Sequence, residues 1–294
     1  MRRPRAAADA PVAEISLAAL IERYDGILFD AYGVLVHDRG AMPGAREALQ
    51  ALRRSGKPFF LVTNDASTLP QSAAARYRRF GLPVQAEQVI SSGLLLKPYF
   101  EQHGLKRPRC AVLGPADSER YAQLAGGRLV PVEADFDALV IGDESGYPFL
   151  RTVDAALSSL IRQLDQGGRV RLVVPNPDLI YPSAGGFAVA AGSIALLFEA
   201  ALARRYPQRE DLRFARLGKP GPQLYDEAIR RAGSRNVVMI GDQLETDIAG
   251  ARAAGIDSVL LLTGVTPAGE TAASGPRPTY RMRSLWPAGF TATI

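Results

Sequence analysis

Short apolar runs alternate with amphipathic stretches along most of this chain, and that alternation restricts the fold more than any other feature. Residues 26–29, 58–62 and 237–241 are apolar runs. The stretch 43–55, with Pro43 at its start and Gly56 after its end, has the pattern of a helix. Parallel strands crossed over by helices produce this order of patterns. The sequence therefore predicts the α/β class.

Polar residues stand where several of these predicted elements end or begin. Asp30, Thr63 and Asp242 close predicted strands, Lys219 precedes a predicted helix, and Asp247 follows Asp242 in the same loop. In open α/β sheets, ligands bind beyond the carboxyl ends of the strands. We therefore expect these side chains to share one site.

The chain is long enough to form two domains. With 294 residues, 47% of them hydrophobic, it can build two cores of ordinary size. Residues 95–207 have apolar runs of their own, which predicts a second α/β domain inserted between residues 1–94 and 208–294. Residues 1–12 and 275–294 lack periodicity and are expected to be irregular.

The composition excludes several classes of protein. No run approaches the roughly 20 apolar residues that cross a bilayer, and no signal-peptide core follows Met1, so we expect a cytoplasmic protein without a membrane partner. The single cysteine, Cys110, excludes an internal disulfide framework and a multi-cysteine zinc site. The net charge of +5 arises from 35 basic and 30 acidic residues spread over the chain, so no nucleic-acid-binding face is expected.

Four motifs in this order resemble those of the haloacid dehalogenase superfamily: Asp30 to Leu35, Thr63-Asn64, Lys219, and Gly241-Asp242 with Asp247. The large insertion between the second and third motifs resembles subclass IIA, which includes phosphatases that act on aryl, sugar and nucleotide phosphates. The resemblance implies a Rossmann-like, doubly wound parallel sheet core with an inserted α/β cap domain. It also implies a homodimer formed through the cap.

The resemblance implies that Asp30 is a nucleophile that attacks the phosphorus of a small phosphorylated metabolite. Asp30 and Asp242, with the backbone carbonyl of Tyr32, would bind Mg²⁺, and Asp247 would be a further ligand or would orient the others. Carboxylate and carbonyl oxygens are the ligands that Mg²⁺ prefers. Such an enzyme would form an aspartyl-phosphate intermediate.

Further residues acquire roles from the same resemblance. Lys219 would neutralise the nucleophile and the phosphoryl oxygens, while Thr63 and Asn64 would bind the transferred phosphoryl group. In the cap, Asp178, Tyr181 and Ser183 are candidates for contact with the substrate, because the cap must close over the strand ends.

Tyr32 departs from the family pattern. The family has a second aspartate at this position, which protonates the leaving alkoxide and then activates water. A phenol with a pKa of ~10 is a poor acid and a poor base near neutrality, so the usual ~10²- to 10⁴-fold contribution of acid–base catalysis is expected to be lost. We therefore expect weak activity that favours good leaving groups such as aryl phosphates.

Two other functions remain open. A catalytically weak protein could bind Mg²⁺ and a phosphorylated metabolite without efficient turnover. Tyrosine at position 32 also resembles the 2-haloacid dehalogenases of the superfamily, although those enzymes lack the large late insertion. His37 is a candidate substitute acid. Asp65 and Ser67 are read as turn formers or as contacts to phosphate or metal.

Overall fold

A computed structural model describes residues 12–37, 39–183, 186–263 and 275–286. Its strands, in chain order, are β1 (Ala13–Glu14), β2 (Gly26–Phe29), β3 (Val36–His37), β4 (Gly40–Ala41), β5 (Phe59–Thr63), β6 (Val89–Ser91), β7 (Arg109–Leu113), β8 (Arg128–Leu129), β9 (Ala138–Ile141), β10 (Arg171–Val174), β11 (Ile180–Ser183), β12 (Gly186–Val189), β13 (Ala215–Arg216), β14 (Val237–Gly241), β15 (Asp257–Leu261) and β16 (Tyr280–Met282).

Its α-helices are α1 (Leu17–Arg23), α2 (Ala45–Ser55), α3 (Pro70–Arg79), α4 (Leu96–Gln102), α5 (Ala116–Leu124), α6 (Phe149–Asp165), α7 (Ala191–Arg205), α8 (Gln223–Ala232) and α9 (Ala249–Ala254). Two 3₁₀ turns, Ala86–Gln88 and Ser92–Leu95, and a π-helical turn, Leu244–Ile248, complete the described elements.

The first sheet is parallel and has the order β1-β16-β15-β14-β2-β5-β6. Every residue of β2, β5 and β14 is buried, as expected for continuous apolar strands of a parallel sheet that is covered on both faces. Ile27 of β2 lies opposite Phe59 of β5 and Val238 of β14. These three neighbouring strands therefore end at the same edge of the sheet.

Helices cover both faces of this sheet. Ile27 and Phe29 pack in one cluster with Leu49 of α2. Leu28, between them in the sequence, packs in another cluster with Leu224 of α8. Because successive side chains of a strand point to opposite faces, the two clusters lie on opposite sides of the sheet. The predicted α/β class is confirmed.

A second parallel sheet has the order β13-β10-β9-β7-β8. Its strands lie in the chain between β6 and β14, and the antiparallel hairpin of β11 and β12 follows β10. The division of the chain into 1–94, 95–207 and 208–294 remains a prediction. The strand β13, which lies after residue 207, pairs with β10 of the second sheet.

The expectation of an irregular closing segment is wrong at β16, which pairs with β15 and β1. A strand of three residues is too short to show a two-residue periodicity, and tertiary pairing forms it. Residues 1–11 and 287–294 of the predicted irregular ends lie outside the described residues. Within the described ranges, no helix has the length and apolar character required to cross a bilayer.

Candidate active site

The candidate site lies at the carboxyl edge of the first sheet. Asp30 follows β2 directly, Thr63 is the last residue of β5, and Asp242 follows β14 directly. All three side chains are buried. Since β14, β2 and β5 are adjacent in the sheet, their ends bring these side chains to one place.

Lys219 joins two carboxylates at this edge. It lies in the loop between β13 and α8, and its Nζ donates to Asp30 Oδ1 and to Asp247 Oδ1, each at 2.7 Å. Lys219 is only 2% exposed and Asp247 is fully buried. A buried charge needs compensating partners, and this arrangement supplies two for the lysine.

The loop after β14 is folded around Asp247. Its Oδ2 accepts hydrogen bonds from the backbone N–H groups of Asp242, at 3.1 Å, and Gln243, at 3.2 Å. The loop leaves no room for a side chain at Gly241, where a Cβ would lie 2.2 Å from the Asp247 Cβ. At Gly33, whose φ is +81°, a Cβ would lie 2.4 Å from Asp242 Oδ2. Glycine at both positions therefore allows Asp247 and Asp242 to pack directly against the backbone.

Asp30, Asp242 and Asp247 form a cluster that is suited to a metal ion. Each offers a carboxylate oxygen, and these oxygens all lie within 4.8 Å of one another. Three buried carboxylates supply hard oxygen donors of the kind that Mg²⁺ requires. The residues present therefore fit the magnesium ion that the sequence predicts, while the role of the Tyr32 carbonyl remains a prediction.

The charges of the cluster change the pKa values of its members. Burial raises the pKa of Asp30 well above its usual value; Lys219 opposes this shift, and Asp247 and Asp242 add to it. Burial alone would lower the pKa of Lys219, but the attraction of Asp247 and Asp30 outweighs it and raises that pKa. The lysine therefore stays charged, and a further cation among the carboxylates would favour ionised Asp30.

Asn64 connects three segments around the site. Its Oδ1 accepts from the backbone N–H of Lys219 at 2.7 Å, and its Nδ2 donates to Asp178 Oδ1 at 2.8 Å. Asp178 lies in the loop between β10 and β11. Thr63 Oγ1 accepts from the backbone N–H of Asp65 at 3.2 Å. The Thr63-Asn64 pair therefore holds the loops around the cluster in place.

A cleft of about 220 Å³ opens above Asp30, Thr63 and Asn64. We call it the cleft; its other lining residues are Tyr32, Asp65, Ser67, Arg76, Asp143, Glu144, Ser145, Asn176, Asp178, Tyr181, Ala190 and Gln243. Of the predicted cap residues, Asp178 and Tyr181 are among them. Ser183 is exposed and is absent from this lining, as is His37, whose Nδ1 accepts from the Arg39 N–H.

Several lining residues were not predicted from the sequence. Asp143, Glu144 and Ser145 follow the buried strand β9, so the strand-end signal that marked Asp30 could have identified them. Arg76 lies within α3, where no sequence pattern distinguishes it from other basic residues of that helix.

Tyr32 lines the cleft and packs against the core of the first sheet. The guanidinium carbon of Arg76 lies 5.9 Å from the centre of its ring, within the range of a cation–π contact. Arg76 also lies near Asp65, with 3.5 Å between Nη2 and Oδ2. The other oxygen of Asp65 accepts from the N–H and hydroxyl of Ser67, so both residues form a turn at the edge of the cleft.

Two family models match this chain. One, described as haloacid dehalogenase-like hydrolase, matches residues 27–128, and a HAD-hydrolase-like model matches residues 216–288. These ranges contain the four motifs around Asp30, Thr63, Lys219 and Asp242.

Related proteins agree with these models. The glycerol-3-phosphate phosphatase of Mus musculus is 30% identical over 84% of this chain and 81% of its own length. A solved structure from Cytophaga hutchinsonii, described as a possible sugar phosphatase, is 30% identical with a TM-score of 0.80, over 94% of this chain and 99% of its own. The glycerol phosphate phosphatase of Mycobacterium tuberculosis in complex with magnesium has 26% identity and a TM-score of 0.76, over 90% and 77% of the two chains.

The parallel α/β fold and the buried acid cluster with its lysine define a hydrolase site at the carboxyl edge of a sheet. The chain belongs to the haloacid dehalogenase-like hydrolases, and its relatives place it in subclass IIA, as the sequence motifs predicted.

Proposed function

We propose that this protein is a Mg²⁺-dependent phosphatase that hydrolyses small phosphorylated metabolites through an aspartyl-phosphate intermediate. The observation that carries the proposal is the buried arrangement of Asp30, Lys219 and Asp247, with 2.7 Å contacts from Nζ to both carboxylates. A protein that only bound a metabolite would not need a carboxylate nucleophile held in this way. The names of the relatives, which are phosphatases, support the same reaction.

In the first step, an oxygen of Asp30 forms a bond to phosphorus and the bond from phosphorus to the ester oxygen breaks. Lys219 neutralises the nucleophile and holds its carboxylate in position. When bound among Asp30, Asp242 and Asp247, Mg²⁺ would supply positive charge that stabilises the transferred phosphoryl group. Water then hydrolyses the aspartyl phosphate, which releases inorganic phosphate and restores Asp30.

The size of the cleft supports a small substrate. Its volume of about 220 Å³ lies below the roughly 300–1,000 Å³ of sites that hold drug-sized ligands. A phosphoryl group with a short alcohol part is smaller than such ligands.

Tyr32 limits the reaction in this proposal. The leaving alkoxide needs a proton, and a phenol is a weak acid near neutrality. We therefore propose slow turnover that favours esters whose alcohol departs without protonation. The second candidate, a protein that binds Mg²⁺ and a phosphorylated metabolite with little turnover, rests on the same residue. A 2-haloacid dehalogenase needs no metal. The cluster of three carboxylates, which is suited to a metal ion, therefore supports that function less well.

The test is Mg²⁺-dependent hydrolysis of an aryl phosphate by the wild type, Asp30→Asn and Tyr32→Asp. Activity should vanish in Asp30→Asn and rise in Tyr32→Asp, because the new aspartate would activate the water that hydrolyses the aspartyl phosphate; both are measured per folded enzyme. Asp226→Asn is the matched control, because it makes the same chemical change at an exposed position of α8. Activity that survives in Asp30→Asn would contradict the proposal, and no turnover in any form would favour the binding protein.

A further inference from the structure

The loops of the second sheet supply one side of the cleft, and that side is acidic. Asp143 and Glu144 follow β9, and Asp178 follows β10. Among the described lining residues, this side contributes three carboxylates and no lysine or arginine. Arg76 of α3 also lines the cleft and lies near Asp65, with 3.5 Å between Nη2 and Oδ2.

Two of these three carboxylates are engaged with neighbouring polar groups. Asp178 Oδ1 accepts from Asn64, and Asp143 Oδ1 accepts from the N–H and hydroxyl of Ser145 at 3.0 and 2.6 Å. These two carboxylates therefore stabilise the loops by hydrogen bonds and also give them negative charge.

Glu144 is the member of the group that is placed to meet a ligand. It is partly buried, and it lines the cleft together with Tyr181. Burial and, second, the charge of Asp143 raise its pKa to about 7, which reflects the crowding of negative charge on this side of the cleft. A further anion brought beside Glu144 and Asp143 would meet the same repulsion.

We propose that the loops after β9 and β10 form a subsite, centred on Glu144 and Tyr181, that accepts the alcohol part of a phosphate ester. The subsite accepts an alcohol part that carries hydroxyl groups and discriminates against one that carries a carboxylate. This inference rests on the proposed phosphatase function and adds the class of substrate to it.

The side chains that line the subsite explain both the preference for hydroxyl groups and the discrimination against a carboxylate. A hydroxyl of the ligand donates to a carboxylate oxygen and accepts from a tyrosine hydroxyl, so Glu144 and Tyr181 together satisfy it. A carboxylate on the ligand has no hydrogen to donate and adds a like charge within a narrow cleft. Specificity that depends on unfavourable charge against the wrong ligand is a common device in binding sites.

The test uses glycerol 3-phosphate and 3-phosphoglycerate, which differ by a hydroxymethyl group in place of a carboxylate. The assay is run with Mg²⁺ at pH 8, which is above the pKa of Glu144. We expect kcat/KM to be at least about tenfold higher for glycerol 3-phosphate, because the carboxylate of 3-phosphoglycerate is repelled by ionised Glu144. Glu144→Gln should reduce that ratio at least about threefold, mainly by improving 3-phosphoglycerate. Glu101→Gln, the same change at an exposed position of α4, should leave the ratio as in the wild type.

Hydrolysis of an aryl phosphate separates this inference from the phosphatase function. If the aryl phosphate is hydrolysed but the two esters have equal kcat/KM, or the ratio is unchanged in Glu144→Gln, the subsite is refuted and the phosphatase stands. If no ester is hydrolysed, titration calorimetry of the two esters with the wild type tests whether the subsite discriminates between them. Tighter binding of glycerol 3-phosphate, lost in Glu144→Gln, would support the subsite, and equal binding would overturn it.

Discussion

Replacement of Lys219 should cost more stability than the loss of any exposed ion pair in the described structure. Its Nζ lies 2.7 Å from an oxygen of Asp30 and 2.7 Å from an oxygen of Asp247, and all three side chains are buried. At an effective dielectric constant of ~20, two unit charges at this distance attract each other by ~6 kcal/mol. The desolvation of the lysine offsets much of this attraction, and removal of one partner of a buried pair costs about 3–5 kcal/mol.

We therefore expect Lys219→Met to lower the free energy of unfolding by about 3–5 kcal/mol at pH 7 in the presence of a chelator. Urea unfolding followed by circular dichroism measures this loss by linear extrapolation. Lys97→Met, an exposed change on α4, is the matched control and should stay within ~0.5 kcal/mol of the wild type.

A second substitution tests the reason for the loss. Without Lys219, the carboxylates of Asp30, Asp242 and Asp247 repel each other without compensation. Addition of Asp30→Asn to Lys219→Met removes one of these charges and should restore at least ~1 kcal/mol. A loss below ~1 kcal/mol in Lys219→Met, or further destabilisation by Asp30→Asn in that background, would refute the electrostatic reasoning.

Three further outcomes are expected. Asp242→Asn should weaken the activation of aryl phosphate hydrolysis by Mg²⁺ at least ~tenfold, and a Mg²⁺ titration that matches the wild type would contradict the metal site. Glu144 has a pKa raised from 4.5 to about 7 in the folded protein, so the folded state binds more protons and stability falls as the pH rises between these values. This loss of stability is at most ~1 kcal/mol after solvent screening, and it should be absent in Glu144→Gln. Parallel curves of stability against pH for the wild type and the variant would contradict this prediction. The homodimer predicted from the resemblance should be visible by light scattering and should dissociate in Phe187→Asp, a position 62% exposed on β12; a monomeric wild type would disprove it.

The sequence predicted the parts of the fold and site that depend on local pattern. The strands β2, β5 and β14 are continuous apolar runs, and a polar residue at or just after the end of each marked the edge where Asp30, Thr63 and Asp242 meet. Residues that reach the cleft from elsewhere carried weaker signals. Arg76 reaches it from the last turn of α3, and its contact with Tyr32 depends on how that helix packs, which no periodicity encodes.

The surroundings of Tyr32 indicate which contacts the substitution Tyr32→Asp would remove. The ring packs against the core of the first sheet and lies beneath the guanidinium of Arg76, whose charge also faces Asp65. In the proposed phosphatase, an aspartate at position 32 would supply an acid but would lose the ring contacts, and half-buried substitutions of this kind cost about 1–2 kcal/mol. In the proposed phosphatase, tyrosine at this position would exchange catalytic capacity for packing at the edge of the cleft, in line with the general conflict between activity and stability at active sites. Arg76 contacts this ring, so the packing at position 32 depends on a residue that lies outside the four motifs.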